Sequence, residues 1–342
     1  MDKVRLGRTG LQVTRSGFGC IPIQRISMEE SRYLVRKAYD QGINFFDTAR
    51  RYRDSEEKVG HALAEVRKDL ILATKTLARN EEELFSELET SLKKLKTDYI
   101  DIYQLHDPKN YPEGSAMEGV CEALLKAREK GMIRFMGLTS HRLDFAVKAA
   151  KGGFFDTVQF PLSTLSSAED LCLIDVCREE DVGLMAMKAL AGGLITSAAS
   201  AFAFLRQFGN LVPLWGIQKE WELDEFISLE ANPPALDEEL RLIIEKDRKE
   251  LAGMFCRGCG YCLPCPVDIP ISTAARMWAF LRKAKYQRYL TEEWVEKMGR
   301  IEQCTACGQC HEQCPYGLDT PNLLKYMLKD YRAFYEEHIA EC

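Results

Sequence analysis

Residues 70–106 read LILATKTLARNEEELFSELETSLKKLKTDYIDIYQLH, and this stretch predicts a strand, a helix and a second strand. Runs rich in β-formers, Leu70–Thr74 and Tyr99–Leu105, lie at its two ends. Between them Asn80 suits a helix N-cap, and Glu81, Glu82 and Glu83 suit the first turn. The apolar stripe of this helix consists of Leu84, Leu88, Leu92 and Leu95. The stretch is therefore predicted to be one β-α-β unit.

The same alternation continues from residue 1 to about residue 217. Eight candidate strands are found, at Ser16–Cys20, Ile43–Phe46, Leu70–Thr74, Tyr99–Leu105, Ile133–Leu138, Thr157–Phe160, Gly183–Met187 and Leu211–Trp215. Eight β-α repeats of roughly 25–30 residues match a (β/α)8 TIM barrel. The opening stretch Val4–Val13, with a turn at Thr9-Gly10, predicts a small hairpin that closes the barrel bottom.

Two runs of cysteine follow the barrel region. The first contains Cys256, Cys259, Cys262 and Cys265, and Pro266 comes next. The second contains Cys304, Cys307, Cys310 and Cys314, and Pro315 comes next. The second run has the ferredoxin spacing C-x2-C-x2-C-x3-C-P, while the first is one residue shorter before its fourth cysteine. Eight thiolates are enough for two 4Fe–4S clusters with four ligands each.

In two-cluster ferredoxins the fourth cysteine of a run ligates the other cluster. We therefore expect two crossed ligand sets, one of Cys256, Cys259, Cys262 and Cys314, the other of Cys265, Cys304, Cys307 and Cys310. The helical surroundings resemble the α-helical ferredoxin module. Two alternatives stay open at this point. One is zinc, whose four-cysteine sites usually show two C-x2-C pairs with a long gap. The other is a pair of clusters that only staple a small domain.

Composition sets the domain organisation and the cellular context. The predicted domains are a barrel at 1–230, a connector helix at 231–251 and an all-α ferredoxin-like iron–sulfur domain at 252–342. A net charge of −6 argues against nucleic-acid binding. The apolar stretch Leu184–Leu205 contains Lys188 and two adjacent glycines, so we expect no membrane span. With 13 cysteines suited to metal and no leader-like start, the chain is expected to be cytoplasmic.

Four ionisable residues fall where a barrel places its reactive groups, at the C-terminal ends of the strands. Asp47 follows the second predicted strand and Tyr52 lies in the same loop, while Lys75 ends the third strand and His106 the fourth. Each residue alone usually has a structural role. An aspartate after a strand usually caps a helix or loop, a lysine at a strand end is usually solvated, and a single histidine is more often structural than catalytic. Four of them on one rim indicate a reaction site.

These residues, in this order, resemble the aldo-keto reductase superfamily over about 1–230. The matching text is GINFFDTA at 42–49, Tyr52, Ser55-Glu56 with Gly60 and Ala62-Leu63, ATK at 73–75 and YQLH at 103–106. The resemblance implies that Tyr52 is the general acid/base and that Lys75 lowers its pKa. It also implies that Asp47 pairs with Lys75 and that His106 orients the oxygen of a small carbonyl or alcohol substrate.

The resemblance also implies an NAD(P) site on the same rim. Gln159 stands where the family binds the carboxamide, and Thr139-Ser140 replaces the usual Ser-Asn pair. Lys188 and Gly216 are predicted to contact the cofactor as well. Met187 stands where many members of the family stack a tyrosine on the nicotinamide ring. Gly216 and Glu222 take the places of the family's basic residues for the 2′-phosphate, and a carboxylate there favours NAD over NADP. Cys20 is expected at the pocket wall, or simply as a small buried residue.

As a whole the chain looks like the aldo-keto reductases with a C-terminal ferredoxin-like extension. A hydride carries two electrons and each cluster passes one, so a flavin or a radical-tolerant substrate would be needed to join the two halves. The basic stretch Arg276–Thr291 reads either as a solvated helix face or as a docking patch for a ferredoxin-type redox partner; its basic residues are Arg276, Arg282, Lys283, Lys285 and Arg288. The alternatives are an electron carrier with the barrel as scaffold, and a plain NAD(P)-dependent reductase with structural clusters.

Overall fold

The computed structural model describes residues 1–112, 117–251, 256–283 and 286–339. Eight parallel strands close into a barrel in the order β10-β3-β4-β5-β6-β7-β8-β9. The strands are β3 Gly17–Gly19, β4 Phe45–Asp47, β5 Ile71–Thr76, β6 Ile100–His106, β7 Ile133–Thr139, β8 Thr157–Pro161, β9 Gly183–Met187 and β10 Leu211–Gly216. Each coincides with a predicted strand to within two residues. The predicted (β/α)8 barrel is confirmed.

A helix follows each strand of the barrel. These helices are α1 Met28–Asp40, α2 Ser55–Leu63, α3 Glu81–Leu95, α4 Glu122–Glu129, α5 Leu143–Lys151, α6 Ala168–Glu179, α7 Ala198–Arg206 and α8 Glu220–Ala231. In α3 the Asn80 side chain accepts a hydrogen bond from the backbone N–H of Glu83, and Leu84, Leu88 and Leu95 are buried. The cap and the stripe therefore work as the sequence predicts, apart from Leu92, which is half-buried.

The predicted hairpin is formed by β1 Lys3–Arg5 and β2 Gln12–Thr14, with Val4 opposite Val13. Leu6, Leu11 and Val13 pack in one cluster with inward side chains of the barrel strands, among them Ile71, Met185 and Val212. Strand residues two apart point to the same side. The hairpin thus fills the lower barrel with apolar groups and leaves the carboxyl ends of the strands for polar ones.

The C-terminal region is helical. Its helices are α9 Glu238–Leu251, α10 Ile271–Ala274, α11 Met277–Lys283, α12 Glu292–Gly299, α13 Gln309–Glu312 and α14 Thr320–His338. The described residues between the two cysteine runs form three short α-helices and the 3-10 segments Tyr286–Tyr289 and Arg300–Gln303. Short pieces suffice because α14 supplies a long apolar face, and Ile271, Met277 and Leu281 pack with its Leu324 and Tyr331 in one core.

The chain divides into two compact units, Met1–Ala189 with Ser197–Arg241, and Leu190–Thr196 with Leu242–Cys342. The residue boundaries at 230 and 251 stay predictions. In the described ranges, no helix is both long enough and apolar enough to cross a membrane. Of the predicted basic patch, Lys285 lies outside the described residues, and Arg282 forms a two-fold ion pair with Asp330 at 2.7 Å.

Candidate active site and cysteine cavities

A buried ion pair occupies the carboxyl end of the barrel. Asp47 is the last residue of β4 and Lys75 the fifth of β5, and both point inward. The Lys75 Nζ atom donates to Asp47 Oδ2 at 2.6 Å and to the Thr48 carbonyl at 2.7 Å. Lys75 is fully buried, and this burial lowers its pKa, but Asp47 and Tyr52, through charge and the hydrogen bond to Asp47, together raise the pKa above its ordinary value. The lysine is therefore a fixed positive charge.

Two glutamine amides complete the surroundings of Asp47. Gln104 Nε2 donates to Asp47 Oδ1 at 3.2 Å, and Gln159 Nε2 donates to Asp47 Oδ2 at 3.4 Å. The Thr139 hydroxyl lies 3.0 Å from Gln104 Oε1 and 3.1 Å from Gln159 Oε1, so it donates to one of them at a time. The carboxylate is thus held by one ammonium and two amides, which fixes its orientation.

Sequence reasoning missed Gln104, although a signal for it existed. His106 was placed inward at the end of β6, and side chains two residues apart on a strand share a face. Gln104 consequently points inward as well, directly opposite Lys75 in the β5–β6 register. It serves as a positioning group, since it contacts Asp47 and through it the lysine.

Tyr52 lies in the loop after β4, half-buried beside the ion pair. The Lys75 Nζ atom is 5.3 Å from the centre of the Tyr52 ring, and the His106 ring stands edge-on to it at 5.7 Å. Burial raises the Tyr52 pKa and the Lys75 ammonium lowers it, with burial the larger effect. Tyr52 therefore carries its proton at neutral pH, next to a cation that stabilises the phenolate once the proton leaves.

His106 is electrically neutral at this position. Burial, together with the charges of Lys75 and Arg51, lowers its pKa to about 3. Its Nδ1 atom is buried and makes no hydrogen bond to a described residue. A neutral imidazole can hold a substrate oxygen through a ring N–H without giving up a proton.

Cys20 follows β3 and is completely buried. Its backbone N–H donates to the Asp47 carbonyl at 2.8 Å. Burial and the Asp47 charge raise the pKa of its thiol well above the usual range. Cys20 is thus an uncharged neighbour of the ion pair, as expected for a small buried residue.

The predicted cofactor residues lie at the ends of β7 to β10, on the same rim as Tyr52. Thr139 and Gln159 belong to the Asp47 network described above. The Ser140 hydroxyl accepts from the backbone N–H of Arg142 at 3.0 Å, Lys188 follows β9 with a left-handed backbone (φ 56°), and Gly216 ends β10. Glu222 caps α8, because its carboxylate accepts the backbone N–H groups of Gln218 and Lys219 at 2.9 and 3.0 Å.

The eight cysteines of the two runs surround two cavities in the C-terminal unit. The first, here called the Cys256 cavity, is lined by Cys256, Cys259, Cys262, Cys310 and Cys314. The second, the Cys307 cavity, is lined by Cys262, Cys265, Cys304, Cys307 and Cys310. No three His, Cys, Asp or Glu side chains in the described ranges gather closely enough to ligate a single ion. The cysteine side chains thus line the walls of two cavities and do not converge on a single-ion site.

Each cavity contains all four members of one crossed ligand set. Cys314 of the second run faces the Cys256 cavity, and Cys265 of the first run faces the Cys307 cavity. Cys262 and Cys310 line both cavities, so the two spaces share a wall. Four of the five cysteines around each cavity form one crossed set, and four thiols are the donor set that a 4Fe–4S cluster takes, so the residues present fit two such clusters.

Comparison with known proteins assigns both parts of the chain. The model of the aldo/keto reductase family matches residues 15–203, more than half of the 342 residues. The chain belongs to the aldo/keto reductase family. The model of a 4Fe-4S dicluster domain matches residues 255–319, so the chain carries such a domain after its barrel.

The relatives of the chain align with its barrel region. L-galactose dehydrogenase of Arabidopsis thaliana is 30% identical over 210 residues, which are 56% of this chain and 66% of that protein. The chain thus spans about two thirds of the relative's length. Aldo-keto reductase AKR11C1 of Bacillus halodurans (TM-score 0.62, 23% identity, 72% of this chain and 96% of that one) has the same fold. So does an aldo-keto reductase of Klebsiella pneumoniae in complex with NADPH (TM-score 0.59, 21% identity, 72% of this chain and 94% of that one).

The ion pair can be tested by removing one partner. Lys75→Met leaves the Asp47 carboxylate buried without its cation, and we expect it to lower the free energy of unfolding by about 3–5 kcal/mol. The double variant Asp47→Asn/Lys75→Met removes both charges and should recover most of that loss. Lys126→Met, which breaks an exposed pair with Glu81, is the control and should change little. Urea unfolding followed by circular dichroism measures all three, and a double variant no more stable than Lys75→Met would contradict this interpretation.

The crossed ligand sets can be tested with two double variants. Cys256→Ala/Cys314→Ala should keep one cluster, about four iron atoms per chain, because both cysteines belong to one set. Cys256→Ala/Cys265→Ala should lose both clusters, because it damages both sets. Iron and acid-labile sulfide of anaerobically purified protein give the counts. The reverse pattern would mean that each run holds its own cluster.

Proposed function

We propose that the protein is an oxidoreductase that interconverts a small carbonyl compound and its alcohol and exchanges electrons with two 4Fe–4S clusters. The observation that carries the barrel half is the buried Lys75–Asp47 pair beside Tyr52 and neutral His106. This arrangement places a protonated phenol, a fixed cation and a neutral imidazole around one position on the rim. It suits proton transfer to or from an oxygen atom.

In the reducing direction Tyr52 donates its proton to the substrate oxygen. The Lys75 ammonium stabilises the phenolate that results, and Asp47 keeps the ammonium in place. His106 holds the same oxygen through a ring N–H, because a pKa of about 3 leaves it neutral at any ordinary pH. In the oxidising direction the proton returns from the alcohol to Tyr52.

The hydride chemistry of this reaction is supplied by a bound nicotinamide. Support comes from the family, and from the Klebsiella pneumoniae structure, which holds NADPH. Gln159, Ser140, Thr139, Lys188 and Gly216 would hold the cofactor along the rim. The Glu222 carboxylate already takes the free backbone N–H groups at the start of α8, and it would repel a 2′-phosphate. We therefore propose NAD rather than NADP.

The iron–sulfur half implies one-electron exchange. Two clusters together take up two electrons, the number that one hydride carries, and a flavin is the group that would split the pair. A ferredoxin-type protein is the partner we propose for the outer exchange. The Arg282–Asp330 pair reduces the charge of the basic stretch available for such docking. Metal-binding thiolates also require reducing conditions, which supports a cytoplasmic location.

Two other functions would use the same folds differently. An electron carrier with the barrel as scaffold would not need the ion pair beside Tyr52, which argues against it. A plain NAD(P)-dependent reductase with structural clusters is favoured by the core that packs against the cysteine runs, because Cys256, Cys262, Cys304 and Cys310 contact it. The dependence of turnover on Tyr52 separates the carrier from both enzymes.

We expect Tyr52→Phe to abolish most turnover, because the variant lacks the phenol proton that the substrate oxygen would take. Loss of a general acid usually costs about 10²–10⁴-fold in rate. Reduction of a panel of aldehydes and ketones with NADH and NADPH measures the effect, and iron and sulfide contents should not change. Tyr33→Phe is the matched control, since Tyr33 is exposed on α1 and contacts Glu220 instead. Full activity in Tyr52→Phe would contradict the proposed role of Tyr52, and a wild type that reduces no member of the panel would favour the carrier.

A further inference from the structure

Charges of opposite sign lie against the two cysteine runs. Gly258, between Cys256 and Cys259, has a left-handed backbone (φ 63°), and a methyl group added there would lie 2.8 Å from the guanidinium carbon of Arg276. Gly308, between Cys307 and Cys310, is also left-handed (φ 75°), and the same methyl group would lie 3.6 Å from Oε1 of Glu312. Because neither glycine has a side chain, the Arg276 guanidinium lies close to the loop at Gly258, and the Glu312 carboxylate lies close to the loop at Gly308.

A second cation belongs to the Cys256 cavity. Arg257 lines this cavity, and its guanidinium lies 4.1 Å from the ring centre of Tyr316, another lining residue. Arg276 is fixed at the outer side of the loop, because its Nε donates to the Ser272 carbonyl at 2.8 Å and its guanidinium lies 5.0 Å from the Phe280 ring. Both arginines are partly buried, so solvent screens their charges only in part.

The Cys307 cavity has a different lining. Besides its cysteines, it is bounded by apolar or neutral residues such as Val267, Ile269 and Gln309, and none of its lining residues has a charged side chain. A carboxylate lies against its loop at Gly308, that of Glu312, which is exposed at the end of α13. The two cavities therefore share a wall but differ in electrostatic surroundings.

The sign of the effect follows from Coulomb's law. Reduction adds one negative charge to a cluster, so a nearby cation stabilises the reduced form and a nearby anion destabilises it. Local charge is one of the factors that set iron–sulfur potentials. Two arginines at the Cys256 cavity raise the potential there, and Glu312 lowers it at the Cys307 cavity by a smaller amount, because water screens an exposed carboxylate more strongly.

We propose that Arg257 and Arg276 make the cluster in the Cys256 cavity the higher-potential one of the pair. This inference rests on the proposed filling of both cavities with 4Fe–4S clusters. With both clusters bound, the first electron from a one-electron reductant would reside preferentially beside Arg257 and Arg276, because their positive charges would stabilise the reduced cluster there.

A redox titration of the holoprotein, followed by electron paramagnetic resonance, tests the proposal. Arg276→Gln should lower the higher of the two midpoint potentials and leave the lower one nearly unchanged. Arg276→Lys keeps the positive charge and should retain most of the wild-type value. Arg288→Gln is the matched control, because Arg288 is exposed, packs on Tyr289 and lines neither cavity. It should move neither potential.

The opposite change tests the other cavity. Glu312→Gln removes an exposed carboxylate, so it should raise the lower potential and leave the higher one in place. The proposal is overturned if Arg276→Gln moves neither potential, moves both equally, or is matched by Arg276→Lys. Iron and sulfide analysis before each titration separates a failure of this proposal from a failure of the proposed function. Fewer than two clusters in the wild type would contradict the proposed filling of both cavities.

Discussion

The buried pair of Lys75 and Asp47 is the constraint on which the reactive end of the barrel depends. A lysine with no exposed surface is stable only beside a compensating charge. Asp47 supplies that charge, and Gln104 and Gln159 hold the carboxylate in turn. The hairpin and the lower half of the barrel are filled with apolar side chains, so the buried polar groups lie at the carboxyl ends of the strands. Burial and the charge of this fixed cation together set the pKa values of Tyr52 and His106.

The sequence was sufficient for the barrel because its signals are local. Each strand is a short β-rich run, and each helix has a cap and an apolar stripe, as in α3 with Asn80 and Leu84. The rim residues were identifiable for the same reason, since Asp47 and His106 end their strands and Lys75 is the last residue but one of β5. The structure brings these three and Tyr52 together.

Contacts between distant segments were not predictable in the same way. The donation of Gln159 to Asp47 depends on the barrel register between strands far apart in sequence. Arg276 read as one member of a basic stretch, and its place against Gly258 arises only from the packing of the helices after the first cysteine run. Glu312 gave no signal, because an exposed glutamate beside a cysteine run is ordinary. The bounds of the short helices between the cysteine runs could not be predicted either, because these helices pack in one core with α14, which lies far along the chain.

The cysteine cavities and the rim pose one chemical question, which is whether the clusters take part in turnover. Anaerobic incubation of the holoprotein with NADH or NADPH, followed by electron paramagnetic resonance, answers it most directly, with dithionite as the control that shows the clusters can be reduced. If hydride chemistry is coupled to the clusters, one of the nicotinamides will produce the signal of a reduced cluster. Clusters that dithionite reduces, but that stay oxidised with both nicotinamides, would contradict the coupling and leave a reductase with structural clusters.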